Sequence, residues 1–314
     1  MIKKKLFTFL TISSLLFFSA CELLDNPDKD GDFNISEDEL NQLLDTLLIQ
    51  GLEELGLGEL GGILMDSVEY ERLPDTVIVI PDNPEPIDPN PEDDIPVSLF
   101  RQADLSVYFP SILSQGYQGS CTGWASSAIR SYYYNKTNDY QTGFNQGRFS
   151  PAYIYNQIKD SGCDGGAYTH LAAQFLVENG DVMESDFPYD DSQCSAQGAL
   201  LKAKAAKYKL KEWKRIALDI EQMKSWLDEK VPLLVGINVD DNFTYLNSNN
   251  DYYDENDYQG SSSGHAIVVS GYSDSINAFQ LTNSWGEDWG TDGRAWVNYS
   301  VMMDILKEAF VVLQ

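Results

Sequence analysis

The chain has 314 residues, 43% of them hydrophobic and 12% aromatic, which is enough to bury a substantial core and suggests about two domains. Its formal net charge at pH 7 is −28, and this excludes a nucleic-acid partner because phosphate-binding surfaces need clustered Lys and Arg. The acid is concentrated near the N-terminus, where residues 21–98 carry 22 Asp and Glu against only Lys29 and Arg72.

Residues 1–20 are predicted to be a targeting sequence. Lys3-Lys4-Lys5 precedes an apolar stretch, Leu6 to Phe18, which is too short to span a bilayer comfortably. The stretch ends in Ser19-Ala20-Cys21, which resembles the lipobox of bacterial lipoproteins. The resemblance implies that Cys21 is acylated and that a membrane of the bacterial cell envelope is a partner, on the periplasmic or the outer surface. The alternative is an ordinary secretory signal with an incidental cysteine.

The acidic segment that follows has the spacing of an EF-hand calcium loop. Oxygen ligands occupy loop positions 1, 3, 5, 7, 9 and 12, and these are Asp28, Asp30, Asp32, Asn34 (through its carbonyl), Ser36 and Glu39. Phe33 departs from the pattern, because the loop normally has Gly there for a turn at positive φ. Calcium is the cofactor that this segment suggests, and a solvated, acidic helix start is the alternative.

A Leu-rich amphipathic helix is predicted from Glu37 to about Leu55. Residues 74–97 hold seven prolines among many acids, so this stretch stays extended and acts as a spacer. Its short apolar run, Thr76 to Ile80, is suited to an edge strand. The predicted boundaries are a signal peptide (1–20), a loop and helix (21–72), a linker (73–98) and a globular domain (99–314).

Residues 115–125 are interpreted as a Gly-rich loop that delivers Cys121 to the first turn of a helix. The apolar spacing from Cys121 to Tyr132 is helical, and Ser120 is the expected N-cap. The macrodipole and the free N–H groups there favour negative charge, so the Cys121 thiolate should form more readily. A lone cysteine at a helix start is more often a buried small residue, and its role therefore depends on the later motifs.

Two strands, Gly264–Tyr272 and Phe279–Asn283, are predicted to form a hairpin. If the residue numbers of the two paired positions add up to about 548 along the hairpin, His265 lies opposite Asn283 on one face. Asn283 would then fix the imidazole tautomer and leave the other ring nitrogen to face a thiol. Trp285, next in the chain, would shield the Asn–His hydrogen bond from water.

Five motifs in chain order resemble those of papain-like cysteine peptidases. They are Gln-Gly-x-x-Gly-Ser-Cys at 115–121, Gly-Cys-Asp-Gly-Gly at 162–166, Phe-Pro-Tyr at 187–189, His-Ala at 265–266 and Asn-Ser-Trp-Gly at 283–286. The resemblance covers about residues 99–314. It implies a two-lobed α+β fold, with a helical lobe (about 115–200), an antiparallel β lobe (about 205–314) and the site between them.

The resemblance also implies roles for particular residues. The catalytic group would comprise the nucleophile Cys121, the general acid/base His265, its orienter Asn283 and the oxyanion donor Gln115. Substrate would be bound by Gly165 and Gly166 through their main-chain groups, and by Trp285. The implied reaction is hydrolysis of a peptide or protein substrate through an acyl-thioester, which needs no metal or organic cofactor.

The chain departs from the family pattern near the nucleophile. Thr122 replaces the usual Trp, and Gln118 replaces the usual cysteine three residues before the nucleophile, so Cys163 lacks its normal partner. With the other two cysteines assigned to lipidation and catalysis, Cys163 and Cys194 would pair in an oxidising compartment, and two free thiols are the alternative. The family's usual inhibitory pro-segment is not visible in the sequence.

Two rival functions come from other classes. A peptide ligase or acyl transferase would use the same acyl-enzyme, whereas an inactive binding module would keep only the fold. The intact set of catalytic residue types argues against the inactive module. His170, the other histidine, is interpreted as structural, on a helix from Tyr168 to Glu178.

Overall fold

The structure is a computed structural model that describes residues 63–64, 73, 75–76, 101–141, 147–196, 198–260 and 263–314. The predicted signal peptide, Cys21, the six calcium-loop residues and the helix from Glu37 lie outside the described residues. The chain divides into two units, 1–58 and 59–314, and every described residue belongs to the second.

The described α-helices differ mainly in length, α1 being the longest. In chain order they are α1 (Cys121–Asn138), α2 (Pro151–Ile158), α3 (Thr169–Glu178), α4 (Ala199–Ala205), α5 (Ile220–Asp228), α6 (Asp241–Thr244) and α7 (Tyr299–Ile305). The first three pack against one another. Gly123 permits the close approach of α1 to α2, because a Cβ there would lie 2.6 Å from the carbonyl oxygen of Pro151. These three helices form the predicted helical lobe.

The strands lie mostly in the C-terminal half. They are β1 (Ile63–Leu64), β2 (Asp75–Thr76), β3 (Gln102–Asp104), β4 (Ala167–Tyr168), β5 (Glu212–Ile216), β6 (Leu233–Val239), β7 (Tyr252–Tyr253), β8 (Ser263–Ser273), β9 (Ala278–Thr282), β10 (Arg294–Asn298) and β11 (Leu306–Leu313). Among the described residues, the large sheet has the order β2-β5-β11-β6-β8-β9-β10-β7, with β3 also paired to β8. β1 pairs only with β4, in a separate parallel ladder.

Strand β8 runs through the middle of this sheet and is buried along nearly its whole length. Helices α1 and α5 both pack against it. A strand covered in this way reads as a continuous apolar run rather than an alternating one, as Ile267-Val268-Val269 does. Burial of this strand positions its first residues against the start of α1. The α+β fold class is confirmed.

The β8–β9 hairpin forms, but the predicted register is wrong. Val268 pairs with Thr282, whereas the predicted register would have paired it with Gln280. The turn occupies residues 274–277, and the register shifts again between Val269 and Gly271, where β8 contains an irregularity. Asn283 therefore follows the last residue of β9 and does not face His265 directly across the ladder.

The predicted edge strand is described only in its first residue. Thr76 lies in β2, which pairs with β5 at the edge of the large sheet. The rest of the run to Ile80 lies outside the described residues. In the part of the chain that the structure describes, no helix combines the length and apolarity needed to cross a membrane.

Candidate active site

Cys121 is the first residue of α1, and its side chain is fully buried. Its Sγ accepts a hydrogen bond from the backbone N–H of Ala266, at 3.4 Å. Ala266 follows His265 in β8, so the helix start and the strand start bring the thiol and the imidazole into one place. Their separation in the chain is more than 140 residues, and only the packing of α1 on β8 joins them.

His265 is also fully buried, and its Nε2 lies 2.8 Å from Oδ1 of Asn283. The same oxygen accepts from the backbone N–H of Ser284 at 2.8 Å, which fixes the orientation of the amide group. Since this oxygen only accepts, Nε2 carries the proton and Nδ1 is the basic nitrogen. Nδ1 has no hydrogen-bond partner within the described part of the chain.

Trp285 covers the imidazole as the sequence predicted. The two ring centroids are 4.3 Å apart with the planes tilted by 33°. Trp285 packs in turn on Phe243 and Trp289, and the Trp289 indole donates to the carbonyl oxygen of Phe243 at 2.9 Å. This aromatic cluster keeps water from the His265–Asn283 hydrogen bond.

Burial decides the protonation of the thiol and the imidazole. It raises the pKa of Cys121 to about 11, which outweighs the lowering by hydrogen bonds from Ala266 and Thr122. Burial also lowers the pKa of His265 to about 4, opposed by the hydrogen bond to Asn283. The sequence predicted that the helix start makes the thiolate easier to form, but the pKa moves the opposite way because desolvation outweighs the hydrogen bonds to the sulfur. The structure holds a neutral thiol beside a neutral imidazole.

Gln115 is held close to the helix start with 1% of its surface exposed. Its Oε1 accepts from Oγ of Ser284 at 2.8 Å, and its Nε2 donates to the carbonyl oxygen of Gln118 at 3.0 Å. Its backbone N–H donates to the carbonyl oxygen of Ser284 at 2.8 Å. Ser284 was missed in the sequence reading, although its position between Asn283 and Trp285 in the motif was a signal for it.

The prediction that Ser120 caps α1 is wrong. Its side chain makes no cap hydrogen bond, and its Oγ lies 2.6 Å from the hydroxyl of Tyr189 instead. The loop also favours glycine at position 116, where φ is +62°, a backbone conformation that other residues rarely adopt. The loop before Cys121 is therefore packed against residues 189–191 rather than closed by a local cap.

The predicted substrate-binding glycines are mostly occupied by internal hydrogen bonds. The N–H of Gly165 donates to the carbonyl oxygen of Ser161 at 3.0 Å, and its carbonyl oxygen accepts from the hydroxyl of Tyr155 at 2.7 Å. The carbonyl oxygen of Gly166 accepts from the N–H of Asp160 at 3.0 Å. The turn in this loop uses these three groups, so they are not free to pair with a substrate backbone in this conformation.

Cys163, in the same loop, is bonded to Cys194, and the two Cα atoms are 5.2 Å apart. The disulfide joins the glycine-containing loop to the segment that follows Tyr189. Cys121 is the free cysteine among the described residues. His170 is buried in α3, with its ring 5.7 Å from that of Tyr168, and its structural role stays a prediction.

Strand β1 lies beside two elements of the candidate site, β4 and β8. It pairs with β4, with Ile63 opposite Ala167 and Leu64 opposite Tyr168, and it also lies against β8, the strand of His265. β4 is attached to the start of α1, because Oγ1 of Thr122 donates to the carbonyl oxygen of Ala167 at 3.1 Å. β1 therefore contacts both the wall next to Cys121 and the strand that carries the imidazole.

The low pKa of His265 predicts a pH dependence of stability. A folded pKa of about 4, against 6.5 for an ordinary imidazole, means that the unfolded chain binds more protons between these values. The contribution of His265 to stability is full above pH 6.5 and is lost as the pH falls through 4. The loss is about 3 kcal/mol at 1.4 kcal/mol per pKa unit.

Chemical denaturation of the protein and of His265→Gln between pH 4 and 7 measures this contribution as the difference in their slopes. Identical slopes for the wild type and His265→Gln would contradict the assignment.

A family model described as papain family cysteine protease matches residues 100–312. Among curated relatives, Cathepsin B-like CP2 of Giardia intestinalis is 28% identical over 215 residues, which is 64% of this chain and 68% of that protein. Across the first relatives, the matched region spans between 54% and 68% of their length.

Solved structures show the same fold. Xylellain, a cysteine protease from Xylella fastidiosa, superposes with a TM-score of 0.57 at 24% identity, covering 68% of this chain and 85% of that one. The digestive procathepsin L 3 of Tenebrio molitor larval midgut superposes with a TM-score of 0.59 at 17% identity, covering 90% of this chain and 94% of that one.

Proposed function

This chain belongs to the papain family of cysteine proteases, and from that premise we propose that Cys121, His265, Asn283 and Gln115 hydrolyse peptide bonds through an acyl-thioester. The observation that carries the proposal is that the thiol, the imidazole and the Asn283 amide meet at the start of α1. Sγ of Cys121 meets the N–H of Ala266, and the adjacent imidazole is bonded through Nε2 to Asn283 at 2.8 Å. This leaves Nδ1 as the only ring nitrogen that can exchange a proton with the thiol.

The reaction follows from these positions. As the site opens to a substrate, the Sγ proton passes to Nδ1 of His265, and the thiolate attacks the scissile carbonyl carbon. The developing oxyanion is met by the backbone N–H of Cys121 and by the second N–H of the Gln115 amide, whose first N–H is used by Gln118. The Nδ1 proton then goes to the leaving amine, and a water molecule deprotonated by Nδ1 hydrolyses the thioester.

This chemistry draws its nucleophile, base and oxyanion donors from side chains and backbone, so it needs no metal or organic cofactor. Asn283 engages Nε2 and so leaves Nδ1 as the basic nitrogen, and it stabilises the imidazolium through the Nε2–H bond. Peptides and proteins are the proposed substrates.

Labelling with an electrophile tests the proposal directly. An epoxide or vinyl-sulfone peptide is expected to modify Cys121, identified by peptide mapping, and His265→Ala should abolish the labelling at neutral pH. Product analysis with and without an added amine separates hydrolysis from acyl transfer, because a ligase would form an amide with that amine. Labelling that persists in His265→Ala would contradict the proposed pair.

We propose that the described conformation is the closed form of the enzyme. Support comes from the position of β1 beside both β4 and β8, together with the complete burial of Cys121 and His265. A peptide substrate would need the same backbone edge of β4. Displacement of β1 would then both admit substrate and restore solvent to the thiol.

We also propose that Cys21 carries a lipid that anchors the protein in the bacterial cell envelope. The support is the lipobox-like Ser19-Ala20-Cys21 after an apolar stretch. Growth with an alkyne fatty acid should label the wild type and not Cys21→Ser, and only the variant should partition into the aqueous phase of a detergent extraction. Equal partitioning would contradict the anchor.

We propose that the acidic loop from Asp28 to Glu39 binds calcium, on the strength of its ligand spacing. Calorimetric titration of the full chain with Ca²⁺ is expected to show one site that is lost in Asp28→Asn/Asp30→Asn. Asp45→Asn, which lies outside the loop, is the control. The same heat signal in the loop variant and the wild type would contradict the site.

A further inference from the structure

The hydroxyl of Tyr189 makes contacts with three residues of the loop that leads to Cys121. It donates to the backbone carbonyl oxygen of Gln115 at 2.7 Å and lies 2.6 Å from Oγ of Ser120 and 3.2 Å from Oε1 of Gln118. A phenol has one proton to give, so Ser120 donates to the hydroxyl that donates to Gln115. Burial raises the pKa of Tyr189, which keeps this donor protonated at neutral pH.

Gln118 makes a second link between the same two parts of the chain. It is 1% exposed, and its Nε2 donates to the carbonyl oxygens of Asp191 at 3.2 Å and Gln193 at 3.5 Å. Its own carbonyl oxygen accepts from the side-chain amide of Gln115. The side-chain amide of Gln115 is therefore held between Gln118 and Ser284, and its backbone carbonyl oxygen is held by Tyr189.

The segment that provides these contacts is fixed at both ends. The Tyr189 ring packs edge-on against Trp124 in the first turn of α1, with centroids 4.8 Å apart. At the other end, Cys194 is bonded to Cys163. The loop has no covalent link of its own to this segment, because Gln118 stands where a disulfide cysteine would otherwise be expected. Hydrogen bonds made by the side chains of Tyr189 and Gln118 hold the loop to this segment in place of that covalent bond.

We propose that Tyr189 and Gln118 are positioning residues for the oxyanion site, holding the Gln115 amide at a fixed place relative to the N–H of Cys121. The proposal rests on the proposed function. Neither residue touches substrate, and both act through Gln115. Displacement of a preorganised donor by a fraction of an ångström weakens stabilisation of the transition state more than binding of the ground state.

Tyr189→Phe tests this in the full chain, because it keeps the ring on Trp124 and removes only the hydroxyl. We expect kcat for an amide substrate to fall by about 10- to 100-fold, less than the 10²- to 10³-fold typical of deleting an oxyanion donor, with KM changed less than about twofold. Alkylation of Cys121 by iodoacetamide should keep its wild-type rate, because that displacement forms no oxyanion.

Tyr133→Phe is the matched control. Its buried hydroxyl donates to the carbonyl oxygen of Val312 at 2.7 Å, and Tyr133 lies three turns along α1 from Cys121. This variant loses an equivalent buried hydrogen bond and should retain kcat.

A double variant shows whether Tyr189 acts through Gln115. Tyr189→Phe should lower kcat much less in a Gln115→Ala background than in the wild type. An unchanged kcat in Tyr189→Phe, or an equal fall in alkylation and hydrolysis, would overturn the positioning role. Failure of the proposed function is a different result, in which Cys121→Ala retains the hydrolytic activity.

Discussion

Replacement of Cys121 by alanine is expected to lower kcat for peptide hydrolysis by about 10⁵- to 10⁶-fold, the range seen when a nucleophile of a catalytic triad is removed. The reason is that no other group at the start of α1 can form the acyl intermediate, since the adjoining Ser120 hydroxyl is bonded to Tyr189. Residual activity should come only from the oxyanion donors and from substrate binding. Measurement of kcat with a fluorogenic peptide, at enzyme concentrations high enough to see the residual rate, checks the expectation.

Two further variants make this result specific to the proposed pair. Cys121→Ser keeps the shape of the buried side chain with a slightly smaller atom and should fold normally but remain nearly inactive, because its hydroxyl has no comparable tendency to ionise. His265→Ala should lose a similar factor, whereas His170→Ala, at the chain's other histidine, should retain activity. Hydrolysis by Cys121→Ser at more than about 1% of the wild-type rate would contradict the thioester route.

Breaking the β1–β4 ladder is expected to increase alkylation of Cys121 at pH 7 by about 10²-fold. In the closed site burial raises the thiol pKa to about 11. Return toward the ordinary value of about 8.5 on opening would raise the thiolate fraction at pH 7 by that order. Leu64→Pro is the appropriate change, because proline removes a backbone N–H from the two-residue strand.

The measurement is the rate of iodoacetamide modification of Cys121 against pH, followed by mass spectrometry of the peptide. The wild-type rate should rise steeply only toward pH 11, and the Leu64→Pro profile should move to lower pH. Thr76→Pro is the matched control, because it interrupts the other short N-terminal strand, β2, which pairs with β5 at the sheet edge. Equal profiles for the wild type and Leu64→Pro would show that β1 does not close the site.

Runs rich in Val and Ile, separated by turn-forming residues, were sufficient to predict strands near Gly264–Tyr272 and Phe279–Asn283, and β8 and β9 are there. The register depended on the four-residue turn and the irregularity near Ser270, neither of which has a distinctive signature in the sequence. The imidazole and Asn283 nevertheless meet, because Asn283 leaves the ladder and reaches His265 from the end of β9.

At the start of α1 the secondary structure was predicted correctly, but a local side-chain contact was not. Sequence reasoning placed Cys121 correctly at the first turn of α1 and named Ser120 as its cap. The cap failed because Tyr189, 69 residues away, provides a better partner for the Ser120 hydroxyl. The local preference of serine for the N-cap position was overridden by a tertiary hydrogen bond. Its partner is too far along the chain to be found from the residues around Cys121.

The sequence by itself determined which side chains are available for chemistry, their order along the chain, and the helix and strands that carry them. These depend on residue type and on local periodicity. Only the tertiary structure decided the protonation of Cys121 and His265, the placement of β1 against β4 and β8, and the attachment of the Gln115 loop to Tyr189. Desolvation and shape complementarity arise when distant segments pack, so their effects cannot be read from neighbours in the chain.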